Sequence, residues 1–222
     1  MKREASVNFD AMRDAMVDSQ LRPTGVNDPA IIAAFRAVPR EAFAPAHLRA
    51  LAYVDEDLPI APGRALIEPM VIANLLPRAQ PRETDRALLL PAGSGYEAAV
   101  LARLAGDVTA LESDAALAAA ARAALAAHGG GVRLVEGPLD AGWPAGAPYD
   151  LIVIAGAVAV LPEALVAQLA DGGRLAAVIV GPGGVGRASI GRRAGDAIGF
   201  EPFLDVATIR LPEFERPRVF QF

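Results

Sequence analysis

The sequence predicts a doubly wound, Rossmann-like α/β fold, in which a mixed seven-stranded sheet carries helices on both faces and is preceded by a helical N-terminal extension. Three observations predict it. From Ala87 onward, short apolar runs alternate with helical patterns; the glycine turn Gly93-Ser94-Gly95 follows the first run; and Glu112 follows the second. We expect a helical segment over residues 1–81 and a strand-and-helix segment over residues 82–222, which together form one compact unit.

Composition narrows the class of protein. The 222 residues are 53% hydrophobic, which suits one domain with a sizeable core. The net charge is −5 and there is no long basic run, so we expect no nucleic-acid partner. Cysteine is absent, and His47 and His128 are the only histidines, so a thiol nucleophile, a His-based triad and a metal site are not expected. Neither a signal peptide nor a membrane-spanning run is apparent, which predicts a cytoplasmic protein without membrane association.

Apolar residues at helical spacing and proline positions predict the N-terminal elements. Asp28 followed by Pro29 is typical of a helix start, and Pro39 ends that helix. His47 is expected at the surface of an N-terminal helix. The predicted elements are helices over residues 8–19, 29–39 and 68–76, with a proline-rich loop over residues 58–63.

The second segment alternates strand and helix. Ser113 is the predicted cap of a helix that ends at His128, and Gly172-Gly173 are predicted to end the last helix. The final two strands have no helix between them, which predicts an antiparallel addition at one edge of the sheet. Strands are predicted over residues 87–91, 107–111, 132–135, 150–154, 174–180, 187–193 and 200–209, and helices over 96–104, 113–128 and 162–169.

The glycine turn and Glu112 predict a nucleoside site. A helix N-terminus offers free N–H groups, and glycines let the backbone approach a ligand closely. Glu112, at the end of the second strand, could accept hydrogen bonds from both ribose hydroxyls, and its separation from the turn is close to the expected ~20 residues. Ala98 interrupts the full G-x-G-x-x-G pattern, so a nicotinamide-dependent oxidoreductase is a weaker interpretation.

The segment around the turn, residues 88–102, resembles the first motif of protein-L-isoaspartate O-methyltransferases. Residues 148–154, 161–165 and 172–175 resemble the later motifs of that family, in the same order, and residues 16–25 and 38–43 its helical N-terminal part. The resemblance covers nearly the whole chain. It implies a class I methyltransferase with S-adenosylmethionine as cofactor, acting on the free carboxylate of an isoaspartyl residue in a peptide or protein.

The resemblance also implies site residues, which are Gly93, Ser94, Gly95, Glu112, Glu136 and Gly137 for the cofactor. No catalytic residue is assigned, but the family's active-site motif falls on the loop of Arg64, Ala65, Ile67 and Glu68. Ala65 and Ile67 stand where the family has hydroxyl side chains, and neither can donate a hydrogen bond from its side chain. Pro91 removes a backbone donor from the first motif, and Pro138 follows Glu136-Gly137 where the family has Gly-Asp-Gly.

Two functional hypotheses therefore stay open: an O-methyltransferase for a carboxylate substrate, and a non-catalytic relative that binds cofactor or protein. Arg64 could pair with a substrate carboxylate or with Glu68 at the surface. For the remaining conspicuous residues the favoured interpretation is structural: packing for Tyr96 and Trp143, a helix end for His128, and a solvated strand end for Arg192-Arg193. The sequence does not predict the oligomeric state.

Overall fold

The computed structural model describes residues 7–216. Its N-terminal part contains three α-helices and a small antiparallel hairpin, and the first helix, Phe9–Met16, continues into a π-helical turn, Val17–Leu21. The hairpin lies where a proline-rich loop was expected. That prediction is wrong because Leu58 pairs with Leu66 and Pro59 with Ala65, and both Leu58 and Leu66 are buried. The elements are α1 (Phe9–Met16), α2 (Pro29–Ala37), β1 (Leu58–Ala61), β2 (Arg64–Leu66) and α3 (Pro69–Ala79).

The main sheet has seven strands in the order β5-β4-β3-β6-β7-β8-β9. The first five strands along this order are parallel, whereas β8 and β9 join antiparallel at one edge. This confirms the predicted mixed seven-stranded sheet. The strands are β3 (Arg86–Leu90), β4 (Asp107–Glu112), β5 (Arg133–Glu136), β6 (Tyr149–Val158), β7 (Leu169–Val180), β8 (Gly186–Ala194) and β9 (Ala197–Asp205).

Several predicted boundaries are wrong. Asp114, not Ser113, caps the helix after β4, since its Oδ1 accepts the N–H groups of Ala116 and Leu117 at 2.8 and 2.9 Å. Gly172-Gly173 lie within β7 instead of ending a helix, and a Cβ at Gly173 would come within 2.8 Å of the Ala170 carbonyl oxygen. Strand β6 extends to Val158, and β9 ends at Asp205 instead of residue 209. The helices of this segment are α4 (Tyr96–Leu101), α5 (Ala115–His128) and the five-residue α6 (Glu163–Ala167).

The two faces of the sheet are buried in two clusters. On β3, Ala87 and Leu89 join the cluster that contains residues of α1 to α5, whereas Leu88 and Leu90 join the cluster that contains Leu165 of α6. Helices therefore cover both faces, as the sequence predicts. Within residues 7–216, no helix combines the length and apolar character that a bilayer crossing needs.

The strand order places the predicted site residues together at the carboxyl ends of the strands. Chain connections run from β3 outward to β4 and β5, and then return to β6 on the other side of β3. Backbone hydrogen bonds tie the strand ends together: Ala92 N–H donates to the Leu111 carbonyl at 2.7 Å, and Gly137 N–H to the Glu112 carbonyl at 3.0 Å. In open α/β sheets, ligands bind beyond the carboxyl ends of the strands at such a reversal.

Candidate functional site

The glycine turn requires both of its glycines. Gly93 and Gly95 have φ values of +54° and +98°, a region that side chains other than hydrogen disfavour. A Cβ on Gly95 would come 2.9 Å from Leu125 Cγ, so this glycine lets α4 pack on α5. The Ser94 Oγ is buried and, among the residues that the structure describes, has no hydrogen-bond partner. Because buried polar groups are normally paired, this hydroxyl is available to a ligand.

Glu112 ends β4 with a fully buried carboxylate that the turn holds in place. Its Oε2 accepts the Gly93 N–H at 2.8 Å. Its Oε1 accepts the N–H groups of Ser113 and Asp114 at 2.9 and 3.1 Å. Arg64 supplies a further donor, with Nε 3.2 Å from Oε1. Backbone donors and one guanidinium thus compensate the buried charge.

Arg64, from β2, lies at the centre of this site. Its guanidinium contacts Glu112, donates to Ser113 Oγ at 2.8 Å, and pairs with both carboxylate oxygens of Glu213. Of the two partners that the sequence left open for Arg64, a surface pairing with Glu68 is wrong, because the guanidinium points inward and Arg64 is 5% exposed. Burial acts to raise the pKa of Glu213, but the Arg64 guanidinium outweighs it and lowers that pKa overall.

Glu213 is a site residue that the sequence analysis missed. It sits in a short 3₁₀ turn, Pro212–Phe214, and is separated from Arg64 by 149 residues. No periodic pattern or motif spans such a distance. The only available signal was the unexplained Arg64, whose charge needed a partner once buried.

The predicted residues at the end of β5, Glu136 and Gly137, lie beside Glu112 but differ in their contacts. Gly137 is joined to Glu112 through its backbone N–H, and the Trp143 ring would be 3.7 Å from a Cβ at this glycine. Glu136 is half exposed and forms a salt bridge with Arg122 of α5 at 2.9 Å. Trp143 packs against the second core cluster, the loop-covering role that the sequence favoured.

The segment at the family's active-site motif has a carboxylate side chain, Glu68, and no hydroxyl side chain. Ile67 is completely buried in the core, so its side chain faces away from solvent. Burial, and then the neighbouring Asp55 and Asp57, raise the pKa of Glu68 to about 7. Asp57 accepts the Glu68 N–H at 2.7 Å and fixes the start of α3. A hydrogen bond to the backbone thus holds the carboxylate of Asp57 next to Glu68.

A buried arginine, Arg40, which the sequence analysis also missed, hydrogen-bonds to the backbone of the segment that carries Ile67. Arg40 is completely buried and donates to the carbonyl oxygens of Ala52 at 2.6 Å and Ile67 at 2.7 Å. Its guanidinium carbon lies 4.8 Å from the centroid of the Tyr96 ring. Glu97 is buried beside them, and burial raises the pKa of its carboxyl to about 7.

The other residues that the sequence analysis named take part in packing or lie at the ends of elements and in turns. Tyr96 packs edge-on against Phe43, with ring centroids 5.8 Å apart, as the packing interpretation predicts. His128 ends α5 as predicted, whereas His47 lies in an exposed turn and not in a helix. Arg193 donates to the Ala167 carbonyl at 3.0 Å, so it closes the end of α6 instead of being simply solvated. Over residues 7–216, no three His, Cys, Asp or Glu side chains are grouped so that they could hold a metal ion.

Sequence comparison finds relatives over most of the chain. Residues 12–197 match the model of the family described as Protein-L-isoaspartate(D-aspartate) O-methyltransferase. A Protein-L-isoaspartate O-methyltransferase 1 from Rhodopseudomonas palustris is 48% identical over 171 residues, covering 77% of this chain and 70% of that protein. A Protein-L-isoaspartate O-methyltransferase from Methylorubrum extorquens is 44% identical over 199 residues, covering 90% of this chain and 87% of the relative.

Solved structures share the fold. A protein-L-isoaspartate O-methyltransferase matches 89% of this chain and 65% of its own length, with a TM-score of 0.78 and 24% identity. A Plasmodium falciparum protein-L-isoaspartate O-methyltransferase, crystallised with S-adenosyl-L-homocysteine, matches 94% of this chain and 100% of its own length, with a TM-score of 0.77 and 18% identity. The chain therefore belongs to the protein-L-isoaspartate O-methyltransferase family, which is a family of methyl-transferring enzymes.

Proposed function

We propose that this chain transfers a methyl group from S-adenosylmethionine to the free carboxylate of an isoaspartyl residue in a peptide or protein. The observation that carries the proposal is the buried carboxylate of Glu112, which is fixed by the Gly93 N–H at the sheet's chain reversal. The names of the relatives, and the S-adenosyl-L-homocysteine bound to the Plasmodium falciparum neighbour, support it.

The residues present fit the cofactor. Glu112 would accept the ribose hydroxyls, and the absence of a side chain at Gly93 would let the ligand approach the backbone. The Ser94 hydroxyl, buried and without a partner among the described residues, would gain one from the ligand. Gly137, tied to the Glu112 backbone, would line the side nearer the base, and Glu136 would join it by leaving Arg122.

The proposed methyl transfer requires no acid or base side chain from the protein. S-adenosylmethionine, when bound, supplies a methyl group on a positively charged sulfur. A carboxylate acceptor is ionised at neutral pH, so no general base is required, and the chain contributes proximity and alignment. The acceptor would enter beside the loop of Arg64, Ala65, Ile67 and Glu68. Because the raised pKa of Glu68 leaves part of its population uncharged near neutral pH, its repulsion of an incoming carboxylate is reduced.

The test is calorimetric titration with S-adenosylhomocysteine, followed by methyl transfer to an isoaspartyl peptide. We expect saturable binding that Glu112→Gln weakens by about tenfold or more, since hydrogen bonds to a charged acceptor contribute ~1.5–3 kcal/mol. The exposed Glu201→Gln on β9 is the matched control and should bind as the unmodified protein does. Methyl label should enter the isoaspartyl peptide and not the same peptide with ordinary aspartate.

Failure to bind at millimolar ligand would contradict the cofactor assignment and favour the non-catalytic hypothesis. Binding without transfer to the isoaspartyl peptide would retain the cofactor and reject the acceptor.

A further inference from the structure

The Glu112 carboxylate is completely buried and already accepts hydrogen bonds from four donors of its own chain. Oε1 accepts from Arg64 Nε and from the N–H groups of Ser113 and Asp114, and Oε2 accepts from the Gly93 N–H. An ionised carboxylate offers about two lone-pair positions on each oxygen, so three donors crowd Oε1 and Oε2 keeps one position. Three of the donors are backbone groups that β4 and the glycine turn fix in place. Arg64 is the one side-chain donor, and its departure would relieve Oε1 and uncover the carboxylate.

The same hairpin that carries Arg64 covers the glycine turn. A Cβ on Gly93 would lie 3.4 Å from Ile60 Cδ1 and 3.8 Å from the Ala65 carbonyl oxygen, so β1 and β2 rest directly on the turn. Arg64 is 5% exposed and Glu112 0% exposed. A nucleoside could therefore reach Glu112 only after the hairpin and Arg64 have moved.

Glu213 holds the hairpin down. Nη1 and Nη2 of Arg64 lie 3.2 and 2.5 Å from its carboxylate oxygens. The contact is reinforced between the backbones, because a Cβ on Gly63 would meet Pro212 Cγ at 2.8 Å. The Glu213 side chain is 29% exposed, so solvent can replace the guanidinium when the contact breaks.

We propose that Arg64 competes with the cofactor's ribose for Glu112, and that Glu213 latches the β1–β2 hairpin in the position where Arg64 occupies that carboxylate. The inference rests on the proposed function, because it takes Glu112 as the nucleoside site. Release separates the guanidinium from both Glu112 and Glu213; solvent then contacts the partly exposed Glu213, and the ribose hydroxyls replace Arg64 at Glu112, so no buried charge is left unpaired. Cofactor affinity is then the intrinsic affinity reduced by the fraction of molecules in the open form.

The experiment compares the affinity for S-adenosylhomocysteine, by calorimetry, among four proteins: unmodified, Arg64→Met, Glu213→Gln and Arg187→Met. Arg64→Met leaves Glu112 with its three backbone donors, so this variant should fold. We expect it to bind about tenfold or more tightly than the unmodified protein, and Glu213→Gln to show a smaller gain. Arg187, in an exposed ion pair with Asp205, is the control and should change nothing.

Hydrogen exchange of residues 58–66, measured without ligand, reports how readily the hairpin opens and does not depend on cofactor binding. Faster exchange in Arg64→Met together with tighter binding would support the proposal. Unchanged exchange would overturn the latch, and equal or weaker binding by Arg64→Met than by the unmodified protein would overturn the competition. Faster exchange with no binding to any of the proteins would overturn the proposed function, and the competition with it, while still showing the latch.

Discussion

Two buried glutamates near the site have opposite surroundings. Glu112 is surrounded by three backbone N–H donors and the Arg64 guanidinium. Glu97, the second residue of α4, is 2% exposed, and its Oε1 has no partner among the residues described. Burial therefore dominates at Glu97 and raises the pKa of its carboxyl to about 7, although Arg40 favours the ionised form. One carboxylate has several hydrogen-bond donors around it, whereas the pKa of the other is raised by burial.

Glu97 should make stability fall as pH rises. Its pKa is raised from 4.5 to about 7 on folding, so the folded protein holds the proton more tightly than the unfolded chain does. The free energy of unfolding therefore decreases as pH rises between these values and levels off above them. In Glu97→Gln this decrease should be smaller, and the variant should gain stability relative to the unmodified protein at the upper end. Urea unfolding at several pH values measures it.

Glu68, whose pKa is also raised to about 7, should add to the same decrease, so the double variant Glu68→Gln/Glu97→Gln should show the flattest profile. Glu163→Gln, on the exposed face of α6, should keep the original profile. An unaltered pH slope in Glu97→Gln would contradict the assignment of this titration to Glu97.

At the scale of elements, the β1–β2 hairpin decides how open the site is. It lies on the glycine turn through Ile60 and contacts the Pro212–Phe214 turn through Gly63. Gly63 of this hairpin requires glycine for two separate reasons. Gly63 has φ +69°, and a Cβ there would meet a proline ring, which cannot swing aside as a flexible side chain can.

Gly63→Ala should separate the hairpin from the C-terminal turn. Gly195→Ala is the matched control, because Gly195 also has a positive φ, +59°, in a hairpin turn, but a Cβ there meets nothing within 4 Å. We expect the control to lose about 1–2 kcal/mol of stability from backbone strain alone. Gly63→Ala should lose about 1–3 kcal/mol more from the clash, with faster hydrogen exchange over residues 58–66. Equal losses in the two variants would show that the Pro212 contact is unimportant.

At the scale of the whole molecule, the buried side chain of Arg174 joins the two segments of the chain. Arg174 of β7 contacts the carboxylate of Asp85, just before β3, and donates to the Ala79 carbonyl at 2.8 Å at the end of α3. The two side chains are 5% and 4% exposed. Helices α1 to α3 also share a buried cluster with the sheet. We propose that residues 1–81 and 82–222 unfold as a single cooperative unit.

Arg174→Met should test this junction, since it leaves the Asp85 charge buried without its partner. We expect a loss of about 3–5 kcal/mol in the free energy of unfolding. Arg187→Met, which removes a pair whose side chains are 60% and 74% exposed, should lose about 0–1 kcal/mol. The double variant Asp85→Asn/Arg174→Met should lose less than the sum of the single changes. Two separate transitions in urea would contradict the single unit.

Much of the architecture is readable from local pattern. The buried strands β3 and β6 are continuous apolar runs, Asp28-Pro29 starts a helix, and Gly93 and Gly95 mark the turn because only glycine tolerates their φ values. Parallel strands place their carboxyl ends together, so Glu112 necessarily lies near the turn. Boundaries were less certain. The β1–β2 hairpin was hidden by Pro59 and Pro62, which are typical of loops but are accommodated in a two-stranded ribbon.

Local patterns in the sequence were enough to predict the mixed seven-stranded sheet and the positions of the glycine turn and Glu112, because periodicity and glycine conformation are local properties. Only the tertiary structure decided what surrounds that carboxylate. Arg64 could have faced solvent, Glu68 or a ligand, and its actual partners, Glu112 and Glu213, lie 48 and 149 residues away in the chain. Which charges meet inside a protein depends on how distant elements pack, and no local pattern encodes that.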